Sequence, residues 1–385
     1  MARVYKQVFE LGNIITGKTP STSDISLWNG NIPFITPTDI KGFDVFYQGL
    51  TERTVSSLGA SKQKKTVLPP NAVCISSIAT IGKMCLTSCE SITNQQINSI
   101  VVNDANDYRY VLYLLRYNLP YLQLVGGGSG SGTPIISKNK FAKFRFLVED
   151  SLPTQQKIAS ILSSYDRLIE NNTRRIRLLE QMAENLYKEW FVRFRFPEHE
   201  NVEMVNGLPK GWKINSLKEI CEFKRGRNIT SAEMCDGIIQ VISAGVAPSG
   251  YHNKANVHGV SVTMSSSGAN AGYISIHYDD IWAADCSYIS EKETEDIYYV
   301  YELLNNIRQV INNFQIGAAQ PHVYPKDINR IKTCVPPKEL RIKANTNLSK
   351  IHKEIHKLYK QNQLLTRQRD LLLPRLMSGK LEVKS

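Results

Sequence analysis

The sequence lacks several features that would place it in a common class of protein. It contains no stretch of about 18 apolar residues, so a membrane-spanning helix is not expected. Residues 1–6 hold no apolar signal core, and we therefore expect a cytoplasmic protein without a membrane partner. The seven cysteines include no C-x-x-C pair, which argues against a zinc knuckle or a redox pair and favours reduced, mostly packed thiols.

Catalytic motifs are also missing. Neither an Asn-Pro-Pro-Tyr-like motif nor a Gly-rich AdoMet-binding pattern of adenine methyltransferases occurs, and no acidic cluster with a lysine indicates a nuclease. The segment HKEIH (352–356) places two histidines four residues apart, but no third ligand accompanies them. We interpret them as solvated helix residues rather than as a metal site. The sequence therefore predicts a protein without a catalytic centre, a cofactor or a metal of its own.

Acidic residues are fewer than basic ones. The chain has 47 Lys and Arg against 35 Asp and Glu, a net charge of +12 and a pI near 9.2. From residue 338 to the end there are 12 basic and 4 acidic residues, a local surplus of eight. Such a balance favours a polyanionic partner, and nucleic acid before membrane.

Two segments have the pattern of long helices, 152–191 and 347–377, and a shift of 186 residues superimposes their apolar rows. Apolar residues recur at alternating steps of three and four, which predicts a coiled-coil seam rather than a surface helix. The predicted seam runs through Leu162, Ile169, Asn172, Ile176, Leu179 and Leu186 in the first helix and through Leu348, Ile355, Asn362, Leu365 and Leu372 in the second.

The segments that precede each helix repeat as well. Residues 107–118 resemble residues 296–307, and both predict a short amphipathic helix. A strand and a small-residue turn at 73–83 match those at 262–272, and a closing strand in 131–148 matches one in 318–335. The sequence thus predicts an α+β fold with four parts: a globular domain (1–150), a long helix (151–195), a second domain (196–337) and a second helix with a tail (338–385). Residues 195–212, rich in turn and breaker residues, are interpreted as the link between the halves.

One motif suggests nucleotide binding. The stretch GNIITGKT (12–19) fits the phosphate-binding pattern G-x-x-x-x-G-K-[ST]. A P-loop requires a helix to begin at the lysine, yet PSTSDISLWNGNIPF follows, which has turn formers and no helical period. In the second half Gly226 aligns with Gly17, but Arg227 and Asn228 replace the Lys-Thr pair. We interpret the stretch as a basic turn, and a P-loop NTPase stays an alternative.

Several of these segments together resemble a known family. GKTPSTSDISLWNGNIPFITPTDI (17–40) looks like the opening of a target-recognition domain, and LPKGWKINSLKEI (208–220) looks like the opening of another. LPTQQKIASILSSYDRLIENN and LLLPRLMSGKLEV are similar to the helical regions that follow each of these domains. In this order the segments resemble the DNA-specificity subunit of type I restriction–modification systems over essentially the whole chain.

This resemblance implies an architecture and a set of partners. It implies two mixed α/β-rich target-recognition domains, pseudo-twofold related and separated by two long antiparallel helices that form a coiled coil. The partners would be double-stranded DNA, two methyltransferase (modification) subunits and the restriction subunits. AdoMet, ATP and Mg would then belong to those subunits, and this chain would read a bipartite target with a fixed unread spacer.

Phosphate binding needs lysine and arginine, and base reading needs amides, arginine or small polar groups. On this basis the first-half candidates for DNA contact are Lys18, Thr19, Ser21, Thr36, Thr38, Lys62, Lys64, Lys65, Ser76, Lys83, Gln95 and Gln96. The second-half candidates are Lys224, Arg225, Arg227, Ser243, Ser265, Asn270, Gln320, His322 and Lys326. The expected contacts with the methyltransferase are exposed helix positions away from the seam: Arg167, Arg174, Arg175, Arg177, Lys353, Lys357, Arg367 and Arg369.

Two further expectations concern individual segments. If the helices pair antiparallel, Asn172 and Asn362 lie opposite each other. A separation of their side chains beyond about 6 Å would contradict this pairing. The alternative is that both side chains are partly solvated. The run GGGSGSG (126–132) is either a solvated linker or a loop that faces nucleic acid. The alternative to a DNA-reading protein is a scaffold of two binding modules on a coiled coil.

Overall fold

The computed structural model describes residues 3–40, 47–126, 134–314 and 321–383. It divides into two compact units. Unit 1 comprises Met1–Arg174 and Lys360–Ser385, and unit 2 comprises Arg175–Tyr359. Each unit therefore contains one globular part and a portion of both long helices, whereas the sequence repeat divides the chain at the helix ends.

Unit 1 is built on two sheets and a two-stranded ribbon. The strand orders are β2-β10-β7-β8-β4, β5-β3-β9-β6 and β1-β11. The elements are β1 (Arg3–Gln7), α1 (Val8–Leu11), β2 (Gly12–Thr16), β3 (Trp28–Ile35), β4 (Tyr47–Gln48), β5 (Arg53–Val55), α2 (Ser57–Lys62), β6 (Val67–Leu68), β7 (Val73–Ser76), β8 (Met84–Thr87), β9 (Ser91–Thr93), β10 (Ile97–Val102), α3 (Tyr108–Tyr117), α4 (Leu119–Gly126), α5 (Lys138–Ala142), β11 (Arg145–Glu149) and α6 (Leu152–Tyr187), the last shared with unit 2.

Unit 2 has smaller sheets of related order. The strand orders are β15-β21-β18-β19, β17-β16-β20, β14-β22 and β12-β13. The elements are β12 (Met204–Val205), β13 (Leu208–Pro209), β14 (Lys213–Ser216), β15 (Lys224–Arg225), β16 (Ile239–Ile242), β17 (Gly250–His252), β18 (Ser261–Ser265), β19 (Ile274–His277), β20 (Ile281–Ala283), β21 (Cys286–Ser290), α7 (Ile297–Asn306), α8 (Arg308–Asn312), α9 (Pro325–Asn329), β22 (Lys332–Val335) and α10 (Lys338–Ser378), the last shared with unit 1.

The core of each unit contains the predicted amphipathic helix. In unit 1 the α3 helix begins after Asp107, whose carboxylate accepts hydrogen bonds from the backbone N–H groups of Arg109 and Tyr110. Its buried side chains include Tyr110 and Tyr113, which share a core cluster with the strands of the first sheet. The α7 helix has the corresponding place in the core of unit 2. The two amphipathic helices and the two closing strands, β11 and β22, agree with the sequence prediction.

The backbone hydrogen bonds repeat between the units. The N–H of Ala79 donates to the Pro134 carbonyl at 2.9 Å, and that of Gly268 donates to the Pro321 carbonyl at 3.0 Å. The predicted fold class, two related α+β domains with long helices, is confirmed.

The long helices pair antiparallel within each unit. In unit 1 Asn172 Nδ2 donates to Asn362 Oδ1 at 3.0 Å, well inside the limit of about 6 Å set by the prediction. Asn172 is 4% exposed. Asn362 is half-buried and also donates toward the hydroxyl of Thr173 at 3.3 Å.

The predicted seam residues are unevenly buried. Leu162, Ile169, Ile176, Leu348 and Ile355 are buried. Leu179, Leu186, Leu365 and Leu372 are half-buried. Of the buried residues, Ile176 and Leu348 also belong to the core of unit 2.

Three expectations need correction. A proline inside a helix is expected to break it, but α10 contains Pro374, continues to Ser378 and ends where Gly379 adopts a φ of 78°. Leu376 and Met377, both beyond the proline, are buried in the core of unit 1, and this packing holds the last turn in place. The Arg3 guanidinium also donates hydrogen bonds to the carbonyls of both residues.

The segment 195–212 is not a bare link. Met204–Val205 and Leu208–Pro209 form a hairpin, and its turn residues Asn206 and Gly207 have φ values of 50° and 80°. Phe196 and Trp212, both buried, bring their ring centroids to 5.7 Å. The segment therefore contributes to the aromatic core of unit 2.

The histidines of HKEIH are not both solvated. His352 is 2% exposed, and its ring nitrogens contact the Tyr278 hydroxyl at 2.9 Å and the Glu302 carboxylate at 3.2 Å. His356 is half-buried and stacks on Tyr278. The expectation failed because Tyr278 and Glu302, which come from the globular part of unit 2, contact this face of the helix.

Candidate nucleic-acid interface

A group of polar turns forms where several strands of unit 1 end. Thr19 Oγ1 donates to Gln95 Oε1 at 2.7 Å, and Asn94 Nδ2 donates to Gln96 Oε1 at 3.1 Å. A Cβ atom at Gly17 would lie 2.2 Å from the Thr93 carbonyl oxygen, so only glycine allows this approach of the two turns. The predicted residues Thr19, Gln95 and Gln96 are thus brought together, with Lys18 exposed beside them.

A second turn joins the same group. Thr36 donates through N–H and hydroxyl to Asp39 Oδ2 at 2.8 and 2.6 Å, and its hydroxyl lies 2.7 Å from that of Thr38. Lys83 Nζ donates to the Pro37 carbonyl at 2.8 Å, which holds its positive charge over the turn. Because Asn94 N–H bonds the Ile35 carbonyl at 3.1 Å, the two turns are adjacent. We call residues 17–20, 36–39, 77–83 and 93–96 the first loop cluster.

The remaining first-half candidates lie on the neighbouring sheet layer. Lys62 ends α2 and forms an exposed ion pair with Asp24 at 3.4 Å. Lys64 and Lys65 are exposed on the 3-10 turn that follows, and Ser21 is exposed beside Ser23, with their hydroxyls 2.8 Å apart. These lysines are an exposed basic group on α2 and the turn after it.

Unit 2 has an equivalent group of turns. Arg225 Nη2 lies 3.1 Å from Asp285 Oδ1, and the Ser267 hydroxyl donates to the other oxygen of Asp285 at 2.7 Å. Lys224 Nζ lies 3.0 Å from Glu293 Oε1, and this hydrogen bond raises the pKa of Lys224. As at Gly17, a Cβ atom at Gly226 would lie 2.3 Å from a carbonyl oxygen, that of Ala284.

We call residues 224–227, 243–245, 266–270, 283–286 and 321–324 the second loop cluster. Asn270 is exposed and Ser243 is half-buried. The His322 ring stacks on Tyr324 with centroids 5.8 Å apart, and Lys326 Nζ lies 5.7 Å from the centroid of the same tyrosine ring. Arg227 is exposed, and its N–H donates to the Ala283 carbonyl at 2.9 Å. Gln320 and most of the glycine run, residues 127–132, lie outside the described residues.

Two predicted DNA contacts are wrong. Ser76 is 0% exposed; its hydroxyl donates to the Thr80 carbonyl and accepts from Lys83 N–H. Ser265 is 3% exposed and donates to the Ala244 carbonyl at 2.8 Å. Both hydroxyls stabilise turns and cannot meet DNA, because each ends a buried strand before the turn begins.

The P-loop is also excluded by geometry. Gly12–Thr16 is a strand as that motif requires, but no helix begins at Lys18, and Thr19 contacts Gln95 instead. Sequence reasoning missed Asn94, Ser267 and Asp285, which order these turns. A role for Asp285 could have been predicted only from the residues around it, because an acidic residue is a poor candidate for contact with a polyanion.

The candidate partner contacts on the helices are exposed with one exception. Arg167, Arg174, Arg175, Arg177, Lys353, Lys357 and Arg367 are exposed, and Arg175 pairs with Glu354 at 3.1 Å in unit 2. Arg369 is a correction, since it is 6% exposed and its Nη1 lies 2.6 Å from Asp166 Oδ1. Its position between Leu365 and Leu372 on the apolar row places it against the other helix.

The described ranges contain no group of three or more His, Cys, Asp or Glu side chains that could hold a metal ion. The same ranges contain no helix that is long and apolar enough to cross a bilayer. The cysteines are free thiols, of which Cys74, Cys85, Cys221 and Cys286 are buried.

Comparisons with known proteins agree with this picture. A family model for the type I restriction modification DNA specificity domain matches residues 4–181 and 209–370. The type I restriction enzyme MjaIX specificity subunit of Methanocaldococcus jannaschii is 27% identical over 416 residues, which cover 98% of this chain and 93% of that protein. The HindI specificity subunit of Haemophilus influenzae is 33% identical over 180 residues, 46% of this chain and 38% of that protein.

A solved structure shares the fold. The S subunit of a type I restriction–modification system from M. genitalium matches with a TM-score of 0.65 at 17% identity, over 97% of this chain and 96% of that one. The family model matches both halves of the chain, as the internal repeat requires. The chain therefore belongs to the type I restriction–modification DNA specificity subunits, which are non-catalytic components of their complexes.

Proposed function

We propose that this chain reads a bipartite DNA target with a fixed unread spacer and directs a partner adenine methyltransferase and a restriction motor to it. The observation that carries the proposal is the doubling of the loop cluster. Gly17 and Gly226, each followed by an exposed cation, make the same close approach to a carbonyl oxygen in their own unit. Two equivalent readers in one chain imply two separately read half-sites.

The composition of the clusters suits DNA rather than a protein ligand. Phosphate oxygens would be bound by exposed cations: Lys18, Lys64, Lys65, Arg227 and Lys326. Base edges would be read by amides and small hydroxyls such as those of Gln95, Thr38 and Asn270, whose donors and acceptors match the major-groove pattern. Lys62, Lys83, Lys224 and Arg225 already have a protein acceptor, so they would contribute charge more than direct hydrogen bonds.

The partner subunits complete the proposal. The exposed arginines and lysines of the helices, among them Arg167 and Arg174 in unit 1 and Arg177 and Lys353 in unit 2, would contact two methyltransferase subunits. AdoMet, ATP and Mg would be bound by the methyltransferase and restriction subunits.

Single-molecule methylome sequencing tests the proposal in cells that express this chain with its neighbouring methyltransferase. We expect methylated adenines in one bipartite motif with a constant spacer, and we expect them to vanish when this chain is omitted. A stable complex of the two proteins without new methylation would favour the scaffold alternative. Negligible affinity for DNA even at low salt, where phosphate contacts are strongest, would strengthen that alternative.

A further inference from the structure

One arginine of unit 1 is held in an unusual way. The Cζ atom of Arg53, on β5, lies 3.5 Å from the ring centroid of Trp28, on β3. The indole is itself fixed, because it is 6% exposed, its Nε1 donates to the Ser21 carbonyl at 2.9 Å, and its ring meets Phe34 edge to face at 5.1 Å. The guanidinium therefore lies on a rigid aromatic surface.

Among the described residues, nothing accepts a hydrogen bond from this guanidinium. Arg53 is exposed, and within the described residues its side chain has neither a carboxylate partner nor a hydrogen-bond acceptor. Other arginines of the chain differ: Arg109 pairs with Asp107 at 2.8 Å, and Arg225 pairs with Asp285 at 3.1 Å. Stacking on an aromatic ring fixes the plane of a guanidinium while its N–H groups stay available at the edge.

The position of Arg53 connects it to the first loop cluster. Arg53 pairs with Phe34 in the β3–β5 register, two residues before Thr36 begins the polar turn. The N–H of its neighbour Glu52 donates to Asp39 Oδ1 at 2.9 Å, which ties β5 to that turn. The exposed lysines at 62, 64 and 65 follow in α2 and the next turn.

A fixed fork of donors is suited to one ligand chemistry in DNA. Guanine presents two acceptors, O6 and N7, side by side in the major groove, and a bidentate arginine contact is the commonest way to read it. A phosphate group also offers paired acceptors to an arginine, but a phosphate contact carries no sequence information, so the two ligands differ in their effect on the motif. Pre-orientation also reduces the rotamer entropy that is lost on binding.

We propose that Arg53 is a specificity-determining residue that reads a guanine through O6 and N7 in the half-site of unit 1. This inference rests on the proposed function, because it assumes that the first loop cluster faces DNA.

The test compares methylomes from cells that express the partner methyltransferase with wild type, Arg53→Ala, Arg53→Lys or a control variant. The control is Arg145→Ala, since Arg145 is also exposed in unit 1 and lies 5.9 Å from the Tyr5 ring, but on the β1–β11 ribbon. We expect a guanine at one position of one half-site for wild type and for the control. In Arg53→Ala the preference for that guanine should fall about tenfold, with the other positions and the spacer unchanged.

Arg53→Lys separates reading from charge. We expect it to keep most of the total methylation and to lose most of the guanine preference. If Arg53→Ala lowers methylation uniformly without changing the motif, and lysine restores it, Arg53 is a phosphate contact and the inference is wrong. A wild-type motif without guanine in either half-site would also overturn it.

Two checks keep the outcomes distinct. Co-purification of each variant with the methyltransferase, together with its melting temperature, shows whether the variant folds. If Arg53→Ala does not fold, the motif of Arg53→Lys alone tests the inference. No bipartite motif for wild type would contradict the proposed function itself, whereas an unchanged motif in folded Arg53 variants would contradict only this inference.

Discussion

The buried ion cluster of unit 1 offers a sharp test of what holds the helices to the globular part. Asp166 on α6 accepts from Arg369 Nη1 at 2.6 Å, from Arg116 Nη1 at 3.0 Å and from the Tyr113 hydroxyl. The side chains of Asp166, Arg116 and Arg369 are 2%, 4% and 7% exposed. Burial raises the pKa of Tyr113 well above its ordinary value, with the Asp166 charge adding to it, so the phenol stays protonated and donates.

Asp166→Ala removes the acceptor that both guanidiniums share. Breaking a buried ion pair by deleting one partner costs about 3–5 kcal/mol, because the remaining charge stays buried. Because Arg369 retains Asp370 at 2.9 Å, we expect a value near the lower end, about 3 kcal/mol. Asp166→Asn, which keeps the shape and one acceptor, should cost less.

The assay is urea unfolding followed by tryptophan fluorescence and circular dichroism, with hydrogen exchange to locate the loss. Of the four tryptophans only Trp28 lies in unit 1, so residues 108–117 are the better exchange probe. Asp150→Ala is the matched control, since Asp150 forms a surface pair with Lys6 at 2.6 Å in the same unit and should cost at most about 1 kcal/mol. If Asp166→Ala costs no more than Asp150→Ala, the buried cluster does not stabilise unit 1 as argued.

Three further predictions concern the helices and unit 2. Asn172→Ala should lower the free energy of unfolding by about 1–2 kcal/mol because Asn362 Oδ1 loses its donor. Replacing both asparagines by leucine should instead raise the melting temperature, and equal effects of the two changes would contradict the paired geometry. Pro374→Ala should raise the free energy of unfolding of unit 1 by about 1–3 kcal/mol in urea unfolding. The helix continues through this exposed position, and alanine restores the N–H donor that proline lacks. A loss of stability would show that the proline is needed there. Burial lowers the pKa of His277 to about 4 from an ordinary value of 6.5. Below pH 6.5 the unfolded chain binds a proton at this histidine and the folded chain does not, so the folded state loses stability as the pH falls from 6.5 toward 4. His277→Gln, which can still meet Thr263, should therefore show a smaller fall in melting temperature between pH 7 and pH 4.5 than wild type does.

Periodicity predicts what repeats along one element, and it predicted the long helices, the amphipathic helices α3 and α7, and the Asn172–Asn362 pairing. The same periodicity indicates the position of Arg369, which lies on an apolar row, and a side chain on that row faces the other helix whatever its chemistry. Contacts between distant segments are different. Thr19 and Gln95 are 76 residues apart, and nothing in either segment alone brings their side chains together.

The two serine errors have the same origin. Ser76 and Ser265 end strands whose following turns lie in the loop clusters, and one residue of register decides whether a side chain points into the core or toward the turn. The stack of Arg53 on Trp28 was invisible for another reason: the residues lie on different strands, and only the β3–β5 register makes them neighbours.

The central claim is that each unit reads one half of a bipartite target. The most direct measurement is the methylome of cells expressing the partner methyltransferase with one of two variants, each altered in a single loop cluster: Thr19→Ala with Gln95→Ala in unit 1, or Arg225→Ala in unit 2. The account predicts that each variant relaxes or abolishes recognition of a different half-site while the spacer length stays constant. If both variants alter the same half-site, or neither changes the motif although both proteins fold and bind the methyltransferase, the assignment of one half-site to each loop cluster is wrong.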